Sequence, residues 1–164
     1  MATKAPRNQS KYVTQAIEIL HKKIPKPNSL EILELIKQLK RGKAFGYARK
    51  LLGQTRESLD PETDPQQKLK LAQEHALCTY KDPDLPVSDR LDRALRILEA
   101  ADGLQETQNQ ETLGLAGAIF KRKWEASGQK IYLEQSLYHY LRGYQQGPAN
   151  DQGYTGINAA FVLD

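Results

Sequence analysis

Few side chains in this chain could do chemistry, and their spacing decides how much. His75 and Cys78 are three residues apart, so they share a face of any helix that holds both. An imidazole there could activate a thiol. Both positions also recur 42 residues on, as Gly117 and Phe120, in slots that pack a helical hairpin, and free cysteine is among the most buried residue types, so the pair is expected in the interior. His21 and His139 have no neighbouring carboxylate or cysteine at ligand spacing, and one cysteine supplies neither a disulfide framework nor a thiolate cage. The run Gly42 to Gly46 has a Gly-Lys pair but lacks the rest of a phosphate loop and the strand before it. Asp and Glu are too numerous on helix surfaces to single out an acid–base dyad. The expectation is no catalytic residue, no metal and no cofactor.

The elements that position these residues read as helices throughout. Val13, Ile17, Leu20 and Ile24 make one stripe of a helix over 10–23, with Ser10 as a plausible cap and Pro25 and Pro27 as its stop. Asn28 or Ser29 can cap a second helix to about Arg41, where Gly42 breaks the chain. A third runs to about Thr55, a fourth from Pro65 to Tyr80, and a fifth from a cap at Ser88 or Asp89 to Ala101. A sixth spans about 108–127 and a seventh 130–145, closed by Gly147 and Pro148. An eighth begins at about Gln152. Residues 1–8 read as a polar tail, and 9–164 as one domain.

Within these helices the small and aromatic residues recur. Leu113, Gly117 and Phe120 place a large, a small and an aromatic residue on the sixth helix; Ser136, Tyr140, Gly143 and Pro148 mark the seventh. Small residues let helix axes approach, aromatics fill the space between, and proline ends the second helix. Shifting back by 42 residues puts Leu71, His75 and Cys78 under the first set and Ala94, Leu98 and Ala101 under the second. In both copies 16 residues separate the aromatic slot from the following small slot. Shifting forward by the same period puts Ile157, Ala159 and Phe161 under Leu115, Gly117 and Ile119, so a further hairpin starts at about Asp151.

That pattern resembles the tetratricopeptide repeat superfamily over most of residues 29–164, with both copies lengthened by the same amount relative to the usual repeat of roughly 34 residues. The segments ETLGLAGAIFKRKWEASG (111–128) and YTGINAAFVLD (154–164) are similar to the TRAF-binding-type repeat region of apoptosis signal-regulating kinases and its bacterial relatives. The resemblance implies an all-α fold, a right-handed superhelix of antiparallel hairpins at about 29–55, 65–101 and 108–146 with the start of another over 151–164. It also implies a non-enzymatic scaffold in signalling or defence, because no kinase signature is present.

In that superfamily partners lie along the first helices. The positions carried over are Lys37, Lys40 and Arg41, then Ala76, Thr79 and Tyr80, then Ala118, Lys121 and Arg122. They make a groove that is basic at both ends, fitted to a protein or peptide partner with acidic side chains. Ile157, Phe161 and Val162 on the eighth helix form a second candidate, a docking face open to self-association.

The bulk properties bound the alternatives. A net charge of +4 over 164 residues hides an asymmetry, for residues 1–56 carry 13 Lys/Arg against 3 Asp/Glu. Nucleic-acid binding by this basic part is the competing reading, disfavoured because only Tyr12, Phe45 and Tyr47 could stack on bases there. No apolar run approaches the roughly 20 residues of a membrane span, and the first residues lack the apolar stretch of a secretion signal, so a cytoplasmic location is the expectation.

Overall fold

The computed structural model describes residues 7–147, 151 and 153–163. Among them are eight helices and no strand: α1 Arg7–Leu20, α2 Ser29–Arg41, α3 Phe45–Glu57, α4 Pro65–Lys81, α5 Val87–Ala101, α6 Gln110–Ser127, α7 Lys130–Gln145 and α8 Tyr154–Leu163. Pro148 and residues 1–6 lie outside the described set, so the closing proline and most of the expected tail do too. Arg7 and Asn8, also assigned to the tail, open α1 instead.

Several helix ends differ from expectation for identifiable reasons. α1 stops at Leu20 because Lys22 turns left-handed (φ 58°), with Lys22 N–H donating to Ile19 O and Lys23 N–H to Glu18 O, well before Pro25 acts. The end of α2 is built the same way, and the left-handed residue is Lys43 (φ 56°) rather than Gly42. Its start is capped by Asn28, whose side chain accepts from Glu31 N–H at 2.9 Å. α5 begins at Val87 behind Pro86, so Ser88 and Asp89 sit inside its first turn instead of capping it.

The chain forms two compact units, Met1–Asp84 and Leu85–Asp164. In the first, Ala16 and Ile19 of α1, Ile32, Leu35, Ile36 and Leu39 of α2, Ala48, Leu51 and Leu52 of α3, and Leu71 and Cys78 of α4 share one core. Burying each large aliphatic side chain stabilises by about 1.5–3 kcal/mol, which is what holds short helices that would be marginal alone. A buried ion pair ties α3 to the end of α4: Arg49 Nε donates to Asp82 Oδ2 at 2.8 Å, and the Asp82 side chain has no solvent exposure.

The second unit is organised by close approach of α6 and α7. Ser136 Oγ donates to Gly117 O at 2.7 Å, and the Tyr140 ring lies where a Cβ on Gly117 would be only 2.7 Å from it. Nothing larger than glycine leaves room for that ring. Gln110 Nε2 donates to Gly143 O and Gly147 O at 2.8 and 3.0 Å, so the start of α6 meets the end of α7 and the pair is antiparallel. Phe120 stacks on His139 with centroids 5.3 Å apart. Arg142 of α7 donates to Leu104 O and Thr107 O at 2.6 and 2.7 Å, fixing the loop between α5 and α6.

The two 42-residue copies have helices of nearly equal length, 17 and 15 residues against 18 and 16, but divide the intervening residues differently. α4 ends at Lys81, since Asp82 precedes Pro83 and a residue before proline avoids helical backbone; residues 82–86 then connect to α5. α6 instead continues through Trp124 to Ser127 and stops on Gly128, whose φ of 70° is the left-handed cap that glycine adopts without strain. Only residues 128 and 129 separate α6 from α7.

Candidate partner-binding surface

The sites suggested for chemistry turn inward. Cys78 is fully buried, and burial, with Glu74 nearby, pushes its thiol up to about 12, the opposite of the lowered value a nucleophile needs. His75 is pushed down to about 4 by burial and by the charges of Arg56 and Arg49. Its Nδ1 accepts from Arg56 Nη1–H at 2.9 Å, which fixes the proton on Nε2 and makes this imidazole a neutral packing element. His139 is 1% exposed, its Nδ1 is 2.8 Å from Gln135 O, and burial lowers its basicity too.

Of the first-helix positions expected to line a groove, four are withdrawn from solvent or already engaged, Ala76 among them with no exposure. Tyr80 is 8% exposed and Thr79 1%; Thr79 Oγ1 donates to His75 O at 2.7 Å. The Tyr80 ring is also met by Lys81, whose Nζ lies 5.8 Å from its centroid. Lys40 reaches across to α4, its Nζ 2.7 Å from Glu74 Oε2, while Lys70 Nζ lies 3.2 Å from Glu74 Oε1. Glu74 is 7% exposed, so Lys40 serves to neutralise a buried carboxylate. Lys37 and Arg41 are exposed at the end of α2.

Lys121 and Arg122 of α6 differ. Arg122 is open to solvent and only loosely paired with Glu125, at 3.8 Å. Lys121 Nζ stands 4.0 Å from the centroid of the Phe161 ring, and among the described residues it has no carboxylate partner. α6 and α8 run side by side in the same direction, because Gly114 receives the Tyr154 ring at one end and Lys121 covers Phe161 at the other. Two candidates that sequence spacing kept apart, the α6 cations and the α8 apolar face, therefore adjoin.

α8 is seated on α6 and α7 through Thr155, which is fully buried and lies 2.5 Å from where a Cβ on Gly143 would sit. Gly156 admits the Tyr144 ring equally closely. This leaves Ile157 69% and Phe161 62% exposed, as the sequence suggested. Val162 is half-buried, because at 100° per residue it turns toward the seated side with Thr155 and Ala159; Ala160 and Leu163 are exposed instead. Tyr154, Tyr144 and Leu141 extend the apolar surface and were not singled out from sequence. The signal was present, since α8 has no Asp, Glu, Lys or Arg in ten residues.

Among the described residues no group of three His, Cys, Asp or Glu could hold a metal ion, and no helix is long and apolar enough to cross a membrane. No curated protein and no solved structure matches the chain significantly. One family model does match, described as Tetratricopeptide Repeats-Sensor, over residues 44–163. The match leaves out α1 and α2, which the sequence pattern had partly included, and takes in α3 to α8 with the Gly117, Ser136 and Tyr140 packing that marks a repeat hairpin. Helical hairpins closed by small residues and aromatics, and a family match over most of the sequence, agree: the chain belongs to the Tetratricopeptide Repeats-Sensor family.

Proposed function

We propose that this chain is a non-catalytic interaction module of a signalling or defence system, and that it holds an acidic segment of a partner protein at the Lys121–Arg122 edge of α6. Membership of a repeat family supports the protein-interaction reading, and the likeness of 111–128 and 154–164 to the repeat region of apoptosis signal-regulating kinases supports the regulatory one.

The observation that carries the site is Lys121 itself. A cation held over an aromatic ring gains about 0.5–1 kcal/mol at an exposed position, enough to orient the ammonium without satisfying its N–H donors. A carboxylate from a partner would add a charge-assisted hydrogen bond there, and Arg122 would supply a planar fork beside it. The exposed Lys37 and Arg41 give α2 of the first unit a similar cationic end. Lys40 is left out of the proposed surface because its ammonium already pairs with Glu74.

Peptides selected from a random displayed library on the folded chain test this reading. The expected winners are rich in Asp and Glu, bind more weakly as salt is raised, and lose at least about tenfold in affinity, about 1.4 kcal/mol, to Lys121→Glu/Arg122→Glu. Selection of neutral or basic peptides, or unchanged affinity in the double variant, would reject it.

A further inference from the structure

We infer that the outward face of α8 is a self-association surface, on which α8 of a second copy of this chain packs antiparallel. The inference rests on the α8 surface, which meets the α6 cations at one edge, where Lys121 Nζ lies 4.0 Å from the Phe161 ring centroid.

Three observations lead there. The first is charge. No residue from Tyr154 to Leu163 is ionisable as an acid or base near neutral pH, so the helix itself brings no like charges together when two copies meet. A charged partner would find no complement on the helix itself.

The second is area. Tyr154, Ile157, Phe161 and Leu163 are 46%, 69%, 62% and 67% exposed, and Tyr144 and Leu141 on adjoining α7 are 45% and 38% exposed. Taking roughly 200 Å² for a whole large side chain, these six leave on the order of 600 Å² of apolar surface per copy, as large as the biggest patch most monomers tolerate. Pairing two such faces buries on the order of 1,200 Å², the lower edge of stable specific interfaces, so the dimer should be weak and concentration-dependent.

The third is shape. Ala160 sits on the outward face between Ile157 and Leu163, and a small residue in that place lets two helix axes approach. In an antiparallel pair crossing near it, Ile157 of each copy meets Phe161 of the other, a large residue against a large one on either side of a small centre. The face is thus complementary to itself, as a two-fold interface requires.

The test is sedimentation velocity on the full chain from about 10 μM to about 1 mM, a range that brackets a weak dimer. Average mass should rise from 18.6 kDa toward twice that value, and Ile157→Glu should hold it at the monomer value throughout. Ile157 is exposed, so the variant should keep its helicity by circular dichroism; Leu163→Glu replaces it if helicity falls. Ala160→Cys should form an intermolecular disulfide under mild oxidation, with buried Cys78 silent in the parent chain, and Ile157→Glu should abolish that cross-link. A monomer at every concentration would overturn the inference. So would a dimer that survives the glutamate variants, or one that forms while the Ala160→Cys chain fails to cross-link.

Discussion

Gly117→Ala sets two effects of known size against each other. A helix-interior glycine replaced by alanine ordinarily gains about 1 kcal/mol in helix propensity. At Gly117, however, the new Cβ would lie 2.7 Å from Tyr140 Cδ1 and Cε1 and 2.8 Å from Cγ, well inside contact distance. The ring cannot yield easily: Tyr140 is 1% exposed and stands edge-on to Tyr154, with centroids 6.1 Å apart. The backbone is pinned as well, because Gly117 O accepts from Ser136. Overpacking costs about 1–3 kcal/mol, and a clash with three atoms of a pinned ring falls in the upper part of that range, about 2–3 kcal/mol, so the net result should be destabilisation by about 1–2 kcal/mol after the propensity gain. Gly53→Ala on α3 is the internal control, since its nearest neighbour is His75 Nε2 at an ordinary 3.5 Å; there propensity should win and stability rise by up to about 1 kcal/mol. Urea unfolding followed by circular dichroism reads both variants, with Tyr140→Leu tested for partial rescue of Gly117→Ala. A Gly117→Ala chain as stable as the parent would refute close α6–α7 packing at this slot.

The half-buried His75 imidazole makes stability depend on pH. With His75 lowered from 6.5 to about 4, the folded chain binds fewer protons than the unfolded one, so the stability this neutral ring confers is complete above about pH 6.5 and is lost as pH falls toward 4. The loss should reach about 2–3 kcal/mol and be largely absent in His75→Gln, measured by urea midpoints across that window; an identical pH slope in the variant would contradict it. Cys78, buried with its thiol near 12, should resist a disulfide reagent at pH 8 and react fully in urea, so rapid labelling of the folded chain would count against the core assignment. Asp82→Ala strands Arg49 and removes a buried partner, which should destabilise by about 3 kcal/mol in chemical unfolding, whereas an exposed pair would give under about 1 kcal/mol.

What the sequence made legible was steric necessity. Gly117, Ser136 and Tyr140 could be read because one close crossing demands a small, a small and a large residue at fixed intervals, and the structure places all three in contact. Ala94 and Leu98, the positions 42 residues before Ser136 and Tyr140, are likewise buried. Charge pairing was not legible. Lys40 and Glu74 are distant in sequence, and nothing at either position announces that one neutralises the other. The burial of Tyr80, 8% exposed, was not legible either, since its register alone does not show what covers it. The left-handed lysines 22 and 43 carry no compositional mark, since the turn that ends each helix is imposed by backbone hydrogen bonds to the preceding carbonyls. The adjacency of Lys121 and Phe161 depends on where α8 is seated, which Gly143 and Thr155 decide.

Chemical-shift mapping of the isotope-labelled chain with a selected acidic peptide bears most directly on the claim that this repeat domain exists to hold a partner. The account predicts saturable shifts at Lys121, Arg122 and the Phe161 ring that disappear in Lys121→Glu/Arg122→Glu. Shifts confined to other surfaces, or none at saturating peptide, would contradict it.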